Sequence, residues 1–323
     1  MKYFLGIDLG GTNLVVGLVD EEYKLLDKDS IPTRAGGTSE ELITDMRSLA
    51  DQILLRNKLK LSDIESVGVG VPGTANWDTG RIEFANNLAF SDEPFLPVIT
   101  AAFEGTKVFF DNDANAAAWG EYLAGSARGS DSMVMITLGT GVGGGIILNG
   151  KIFEGINYAA GELGHMVIKA DGKYCNCGRR GCFEVYASAT ALVEQTREAM
   201  SENKASVLWE LCQGQLSKVE GKTLFMGVSQ GDKTAEKVLE NFIIYLGAGV
   251  INIINIFQPD IICIGGGISN AGDALVGPLK EIIKKESYSR TSKKQPEIVI
   301  ATLNNDAGLI GAAMLHLTFT GIS

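Results

Sequence analysis

Four potential metal ligands lie close together near the middle of the chain. They comprise one imidazole and three thiols, from His165, Cys175, Cys177 and Cys182. This is the ligand set of a closed tetrahedral zinc site, which leaves no position for a substrate. Gly178 and Gly181 favour a loop that turns back around one ion, because glycine tolerates a positive φ. The sequence therefore predicts a zinc ion with a structural role.

A disulfide with one spare thiol is the alternative interpretation of these cysteines. The chain contains five cysteines, an odd number. Charged and glycine-rich sequence begins by residue 8, which is not expected of a secretory leader. Disulfides persist mainly in oxidising compartments. We therefore expect reduced cysteines that bind zinc in a cytoplasmic protein.

Three glycine-rich loops each follow a segment with strand character. They contain Gly10, Gly11, Thr12 and Asn13; Gly139, Thr140 and Gly141; and Gly265, Gly266 and Gly267. Successive backbone N–H groups in such a loop form a nest that binds phosphate, and Thr12 adds a hydroxyl donor. Asp8 precedes the first loop, where it is expected to point at the Mg²⁺ that accompanies ATP. The first two loops contain no Lys or Arg, so the metal and the amide dipoles would neutralise most of the phosphate charge. A Walker loop differs because its Gly-Lys-Ser/Thr ending supplies a lysine.

The second loop also fits the G-x-G-x-x-G pattern of dinucleotide-binding proteins, over 139–144. In those proteins the loop opens a helix, and the pyrophosphate binds at the helix N-terminus. Here the following residues, 145–154, predict a hairpin that turns at Asn149 and Gly150, a dipeptide typical of type I′ turns. A dehydrogenase is therefore not favoured.

Two aspartates flank Asn112 at the junction between a predicted strand, 108–110, and an alanine-rich helix, 114–123. A carboxylate at this position could accept the proton of a hydroxyl group that attacks a phosphoryl group. Asp113 is the candidate base and Asp111 is the alternative carboxylate. Asp113 could also be the N-cap of the helix, and the two roles are compatible.

An internal similarity predicts two related lobes. Residues 5–19 and 136–150 share the order strand, glycine loop, strand, as expected from two copies of one nucleotide-binding lobe. We place an N-terminal α/β lobe at 1–117 and a C-terminal α/β lobe with the zinc site at 118–304. A C-terminal helix, at about 305–323, is expected to return to the first lobe.

The composition argues against two classes of partner. With 39 acidic and 28 basic residues among 323, the formal net charge is −11, which opposes binding to nucleic acid or to an anionic membrane. The most apolar segment, 242–257, is shorter than the ~20 residues that a spanning helix needs. It is expected to form a buried helix.

The motifs of this chain resemble those of the ROK family of sugar kinases and sugar-responsive repressors, in order and spacing over nearly the whole length. The motifs are DLGGTN (8–13), NDAN (112–115), LGTGVGGG (138–145), ELGH (162–165), CNCGRRGCFE (175–184) and IGGGIS (264–269). The resemblance implies a two-lobed actin/hexokinase-like fold of the ribonuclease H-like class, with a structural zinc knuckle. Repressor members carry a helix-turn-helix ahead of the first loop, and Asp8 is expected to leave no room for one.

The resemblance also implies an activity and a set of site residues. The activity is ATP-dependent phosphorylation of a hexose at its 6-hydroxyl, with glucose as the first expectation, in carbohydrate metabolism and glycolysis. Asp113 matches the family's base. The implied sugar contacts are Gly73, Asn87, Asn112, Asp113, Glu162, His165 and Glu184. One nitrogen of His165 would bind zinc while the other faces the sugar.

Several alternatives stay open at the level of sequence. The sugar could be N-acetylglucosamine, N-acetylmannosamine, mannose, fructose or allose, or the protein could be a sugar sensor without catalysis. An actin-like ATPase would have no use for the ELGH and cysteine motifs, and a polyphosphate donor would be expected to bring additional basic residues. Asn86 competes with Asn87 for the place at the sugar. Family members are commonly dimers or tetramers, so a homo-oligomer is expected.

Overall fold

The chain alternates strands and helices, as a mixed α/β protein does. The computed structural model describes residues 1–34, 36–85, 88 and 90–319. Its strands are β1 (Tyr3–Leu9), β2 (Asn13–Asp20), β3 (Leu25–Pro32), β4 (Ile64–Val71), β5 (Thr74–Asn76), β6 (Arg81–Ala85), β7 (Phe90–Pro94), β8 (Lys107–Asn112), β9 (Met133–Leu138), β10 (Val142–Leu148), β11 (Lys151–Ile152), β12 (Ile261–Gly265) and β13 (Glu297–Ile300). Its helices are α1 (Ser39–Arg56), α2 (Leu96–Ala102), α3 (Asp113–Ala124), α4 (Glu184–Ala187), α5 (Ala189–Glu202), α6 (Leu208–Leu211), α7 (Gly221–Ser229), α8 (Lys233–Phe257), α9 (Asp273–Glu286) and α10 (Ala307–Ala313).

Two five-stranded sheets have the same strand order. The first runs β3-β2-β1-β4-β8 and the second runs β11-β10-β9-β12-β13. In the first sheet β1, β4 and β8 are parallel, whereas β2 and β3 are antiparallel to their neighbours. Each sheet therefore has its first strand in the centre, the second and third on one side, and the fourth and fifth on the other. This shared order agrees with the internal similarity of the sequence, and the predicted fold class is confirmed.

Two compact units divide the chain. One contains Met1–Met133, Gly145–Gly161 and the segment from Thr302 onwards; the other contains Val134–Gly144 and Glu162–Ala301. We call them the first and the second unit. The domain boundaries expected after residues 117 and 304 stay a prediction.

Local signals explain individual elements of the first unit. Helix α1 begins with a capping box, in which the Thr38 side chain accepts from the Glu41 backbone and the Glu41 side chain accepts from the Thr38 backbone. Its buried face repeats at helical spacing, with Leu42, Met46, Leu49 and Ile53. The predicted hairpin turn is confirmed, because Asn149 and Gly150 both have positive φ and Leu148 pairs with Lys151.

The backbone of α10 touches the backbone of the first sheet. A Cβ atom added at Gly68 in β4 would lie 1.7 Å from the Ala312 carbonyl oxygen, and one at Gly6 in β1 would lie 2.0 Å from that of Leu309. On its other side, α10 meets α3, since a Cβ at Gly311 would lie 1.7 Å from the Ala116 carbonyl oxygen. Glycine at these positions permits a contact that any larger residue would prevent.

Helix α8 is the central helix of the second unit. Its length and composition alone would suit a membrane span, but 56% of its most apolar window is buried within the protein, and it packs against α5, α7 and α9. The predicted buried helix at 242–257 is its C-terminal part, so that prediction is confirmed. Helices α4 and α5 are divided at Ser188, whose hydroxyl caps α5 by accepting from the Ala191 backbone N–H.

We predict that Gly68→Ala will destabilise the protein by about 3 kcal/mol or more, because the new methyl group overlaps the Ala312 carbonyl and must displace α10. The free energy of unfolding in urea measures the effect. Gly221→Ala is the matched control, since a Cβ at Gly221 meets no atom within 4 Å. Equal losses of stability in the two variants would contradict the proposed role of the close contact.

Candidate functional site

Polar side chains of the first unit gather at the carboxyl ends of its parallel strands. Asp8 near the end of β1 is in register with Gly70 of β4, and Gly70 is in register with Asp111 of β8. The loops that follow parallel strands leave the sheet at this edge, which is where α/β proteins usually bind ligands. The first glycine loop and the Asp113 junction therefore begin at the same edge.

Asp8 is a partly buried carboxyl group beside the first glycine loop. Burial raises its pKa to about 6, well above its usual range. The backbone of Gly308, at the start of α10, lies beside it, because a Cβ there would be 3.2 Å from the Asp8 Oδ2 atom. Burial disfavours the ionised form of this carboxylate, and a nearby cation would stabilise it. Carboxylate oxygens are ligands that suit Mg²⁺.

The first glycine loop is a tight turn whose shape depends on Thr33. The Gly10 N–H donates to the Asn13 carbonyl at 3.0 Å, and the Thr33 hydroxyl donates to the Gly10 carbonyl at 2.6 Å. The Thr33 N–H donates to the Thr12 carbonyl at 2.8 Å. These bonds hold the carbonyl groups of the turn, while Gly11 and Thr12 remain exposed, as a phosphate nest requires. Sequence reasoning missed Thr33, which lies far along the chain.

The junction after β8 is capped by Asn112 rather than by Asp113. The Asn112 Oδ1 atom accepts from the N–H groups of Ala114 and Asn115, at 2.8 and 3.2 Å. The strand ends at Asn112 and α3 begins at Asp113, so the alternative interpretation of Asp113 as the N-cap was wrong. The physical reason is that an N-cap must keep an extended backbone, and Asn112 does so with ψ of 144°. Asp113 lies in the first turn instead, where the positive end of the helix dipole favours a carboxylate.

Gly73 and Asn112, two of the predicted sugar contacts, lie together. The Asn112 Nδ2 atom donates to the Gly73 carbonyl at 2.9 Å. Gly73 has φ of 84°, and a Cβ there would lie 1.9 Å from the Phe84 carbonyl oxygen, so only glycine fits. Asn86 and Asn87 lie outside the described residues.

The buried Asp111 interacts with the partly buried Glu154, a residue that the motifs of the sequence did not point to. Asp111 is 5% exposed, and its Oδ1 atom accepts from the Asn112 N–H at 2.6 Å and from Asn115 Nδ2 at 3.0 Å. Burial, followed by the charge of Glu154, raises the Asp111 pKa to about 7. The Glu154 pKa is raised by burial and by the charge of Asp78. Asp111 is buried and its Oδ1 atom already accepts two hydrogen bonds, whereas Asp113 is partly exposed, so Asp113 is the better candidate for a general base.

In the second unit, the second glycine loop is fastened by the segment that begins with Glu184. The Glu184 Oε2 atom accepts from the Val142 N–H at 3.0 Å. The Ala189 N–H donates to the Gly139 carbonyl, and the Thr190 hydroxyl donates to the Thr140 carbonyl, both at 2.8 Å. As expected, the loop continues into strand β10 and does not open a helix.

The third glycine loop meets the second within the same unit. Gly266 has φ of 85°, and a Cβ there would lie 2.5 Å from the carbonyl oxygen of Leu138, the residue before Gly139. A Cβ at Gly267 would meet no atom within 4 Å. Two of the predicted phosphate loops therefore lie side by side, with open space beside Gly267.

The ELGH motif forms a single 3-10 turn, Leu163–His165, that packs on the start of β10. A Cβ at Gly164 would lie 2.2 Å from the Val142 carbonyl oxygen. The His165 Nε2 atom lies 3.9 Å from Glu162 Oε2, and Glu162 is exposed. The structure thus brings the ELGH turn, Glu184 and the second glycine loop together around the backbone of Val142.

The four predicted zinc ligands converge on one point. Their ligand atoms lie within 4.8 Å of one another. The distance from Cys177 Sγ to Cys182 Sγ is 3.6 Å, and that from Cys175 Sγ to His165 Nδ1 is 3.6 Å. Zinc bound to sulfur at about 2.3 Å in a tetrahedron separates two sulfurs by about 3.8 Å, so the cluster fits the ion. Gly178 and Gly181 have φ of 88° and 79°, which confirms the prediction that this loop needs positive φ.

The chemistry of the thiols also fits a metal site. Burial, followed by hydrogen bonds that the Cys182 thiol donates to Cys177 and Cys175, raises the Cys182 pKa to about 12, whereas the Arg179 backbone N–H lowers the pKa of Cys177. A divalent cation binds thiolates and holds them deprotonated. The loop also ties the ELGH turn to Glu184, because the Phe183 N–H donates to the Met166 carbonyl at 2.7 Å. A metal ion bound by the cysteines would therefore fix two predicted sugar-binding segments relative to each other.

The mixed α/β fold with two sheets matches that of solved sugar kinases of the ROK family. The sequence model of the ROK family matches residues 4–318, and the chain belongs to this family. It is 40% identical to a glucokinase from Thermotoga maritima, covering 96% of this chain and 96% of that protein. It is 38% identical to a glucokinase from Halalkalibacterium halodurans, covering 97% of this chain and 94% of that protein.

A solved structure agrees with these sequence relatives. The ROK family glucokinase from Streptomyces griseus in complex with glucose and AMPPNP is similar to this chain with a TM-score of 0.80 and 33% sequence identity. The similarity covers 97% of this chain and 98% of that one. The resemblance inferred from the motifs is thereby confirmed.

We predict that Cys177→Ser will lose zinc, because one of four ligands becomes a hydroxyl group that binds zinc weakly. Elemental analysis of the purified protein measures the metal content, and calorimetry with glucose is expected to show weaker binding. Cys212→Ser is the control, since Cys212 is a buried cysteine outside the cluster and its contact with the Trp209 carbonyl suits a hydroxyl group. Unchanged zinc content in Cys177→Ser would refute the site.

The raised pKa of Asp111 predicts a pH dependence of stability. The Asp111 pKa is raised from 3.8 to about 7 in the folded protein, so the folded state holds a proton that the unfolded state releases between these values. The stabilising contribution is therefore present at low pH and is lost as pH rises through this window. Asp111→Asn keeps a neutral group there, so wild type should lose stability relative to this variant between pH 4 and 7. Parallel pH profiles of the unfolding free energy would disprove the shift.

Proposed function

We propose that the protein phosphorylates glucose at its 6-hydroxyl with ATP. The observation that carries this proposal is the similarity to two glucokinases over nearly the full chain, at 38% and 40% identity. The Streptomyces griseus glucokinase binds glucose and AMPPNP, which supports ATP as the phosphoryl donor here. The placement of Asp113 at the carboxyl edge of the first sheet is consistent with the chemistry.

Asp113 is proposed as the general base. A sugar hydroxyl is a poor nucleophile at neutral pH, so a carboxylate must take its proton while the oxygen attacks the γ-phosphorus. Asp113 lies in the first turn of α3 and is held there by the Asn112 cap. The Asp113 Oδ1 atom also accepts from the Ala114 N–H at 2.8 Å, which restricts the rotation of the carboxylate. A fixed carboxylate accepts a proton only from a hydroxyl group in one direction, which selects a single hydroxyl of the sugar.

The glycine loops and Asp8 are proposed to bind the nucleotide. The first loop, Gly10–Asn13, would bind phosphate oxygens through the N–H groups of the exposed Gly11 and Thr12 and the Thr12 hydroxyl, while the Gly10 N–H closes the turn. In the second unit, Thr140 and Gly141 would donate N–H groups beside Gly265, Gly266 and Gly267, while the Gly139 N–H donates to the Gly141 carbonyl within the loop. Asp8 would hold Mg²⁺, which when bound neutralises phosphate charge and aligns the terminal phosphoryl group.

The remaining polar residues are proposed to bind the sugar. Glu162, His165 and Glu184 surround the start of β10, and they would accept or donate hydrogen bonds to ring hydroxyls. Asn112, Gly73 and Asn87 would contribute from the first unit. The zinc is proposed to be structural, because its four protein ligands leave no open position, and its effect on the sugar would pass through His165.

We further propose a cytoplasmic homo-oligomer, dimeric or tetrameric, whose substrates are small molecules. The net charge of −11 supports the absence of nucleic-acid and anionic-membrane partners. The lobe boundaries near residues 117 and 304 belong to the same proposal.

The first experiment is a measurement of ADP release with Mg-ATP across a panel of hexoses and N-acetylhexosamines, with a blank that contains no sugar. We expect glucose to give the highest kcat/KM. Dominance of another sugar would retain the mechanism and change the substrate. ADP release that is independent of sugar would indicate an ATPase, and no release at all would favour a sugar sensor.

We predict that Asp113→Asn will lower kcat by roughly 10²- to 10⁴-fold, the usual contribution of a general base, while glucose binding stays within a few-fold of wild type. Asp111→Asn is the matched control two residues away. Its amide oxygen can still accept from the Asn112 N–H and Asn115 Nδ2, so this variant should retain most of the turnover. A larger loss in Asp111→Asn than in Asp113→Asn would reverse the assignment of the base.

A further inference from the structure

The Glu184 carboxylate lies directly against the second glycine loop. Its Oε2 atom accepts from the N–H of Val142, the first residue after the loop, at 3.0 Å. A Cβ atom added at Gly141 would lie 2.1 Å from the same oxygen. The carboxylate thus fills the space beside Gly141, and only glycine allows it to reach the Val142 amide.

Two further bonds join the same two segments. The Ala189 N–H and the Thr190 hydroxyl donate to the carbonyl groups of Gly139 and Thr140. The residues that follow Glu184 therefore hold the loop along its length. The loop carbonyls are occupied by these donors, and the Val142 N–H is occupied by the carboxylate. The conformation of the loop then depends on the position of Glu184, and the reverse also holds.

We propose that Glu184 is a positioning residue that couples the sugar subsite to the second glycine loop. One carboxylate oxygen holds the Val142 N–H, and the other oxygen receives a sugar hydroxyl. This inference rests on the proposed function, in which Glu184 contacts sugar and the loop contacts phosphate. It adds that a displacement of the sugar subsite or of the second glycine loop is transmitted to the other through the Glu184 side chain.

The coupling must be reciprocal, because it is a difference in binding free energy that both ligands share. When glucose fixes the carboxylate, the Val142 amide and the loop are fixed as well, so the nucleotide binds to an ordered loop. When the loop is displaced, the carboxylate loses its partner and presents its second oxygen less well to the sugar. Substitutions on each side can test the two directions separately.

The first test is a pair of substitutions within the loop. Gly141→Ala should displace the Glu184 carboxylate and weaken glucose binding, measured by calorimetry without nucleotide, by about tenfold, the usual value of one hydrogen bond to a charged group. Gly139→Ala is the control, because a Cβ at Gly139 meets no atom within 4 Å. It should leave glucose affinity within about twofold of wild type.

The second test runs in the other direction and uses the two glutamates proposed to contact the sugar. Glu184→Ala should weaken binding of AMPPNP with Mg²⁺ in the absence of sugar. Glu162→Ala should leave it unchanged, because Glu162 is exposed and its carboxylate faces His165. Glu184→Gln retains an oxygen that can accept from the Val142 N–H, so it should restore AMPPNP affinity without restoring glucose affinity.

Two results would overturn the inference while leaving the kinase proposal intact. One is equal glucose affinity in Gly141→Ala and Gly139→Ala. The other is AMPPNP affinity in Glu184→Ala that equals wild type. If wild-type protein binds no glucose, the proposed function and the inference fail together, so the wild-type measurement comes first.

Discussion

The backbone contact between α10 and the first sheet is the constraint on which the rest of the first unit depends. Gly6 and Gly68 bring the helix against β1 and β4, and Gly311 brings it against α3. Helix α3 begins at Asp113, so the candidate base is held by a helix whose other face cannot shift. The Trp119 indole N–H adds a hydrogen bond to the Met314 carbonyl at 3.0 Å. Because the backbones of α10 and α3 are in direct contact, α3 has little freedom to rotate. This suits the proposed role of Asp113, whose carboxylate would face one hydroxyl group.

The two sheets share a strand order, but the residues at the ends of their central strands differ. In the first unit the central parallel strands end near two acidic side chains, Asp8 and Asp111. In the second unit the residue equivalent to Asp8 is Thr137, at the end of a strand that leads into glycine. One copy of the motif therefore supplies carboxylates and the other supplies mainly backbone amides.

Local chemistry made much of the structure predictable. Asn149 and Gly150 form the turn that their φ preferences demand, and the cysteine cluster closes where its glycines allow. The sequence did not reveal interactions that depend on residues distant in the chain. Glu154 meets Asp111 from 43 positions away, Thr33 reaches back to Gly10, and Glu184 binds the Val142 amide. Each of these contacts depends on tertiary packing that no local pattern encodes, and the exchange of roles between Asn112 and Asp113 shows that capping is sensitive to a shift of one residue.

The discontinuous composition of the first unit has a consequence for how the protein is made. Its core includes α10, which is the last α-helix in the part of the chain that the structure describes. Domains usually fold from the N-terminus as they are synthesised. Here the packing of β1 and β4 requires α10, which follows the whole second unit in the chain. The glycines of these strands leave a groove in the sheet until α10 arrives. The segments of the second unit all precede Thr302, so we expect the N-terminal sheet to be the later of the two to reach its final packing.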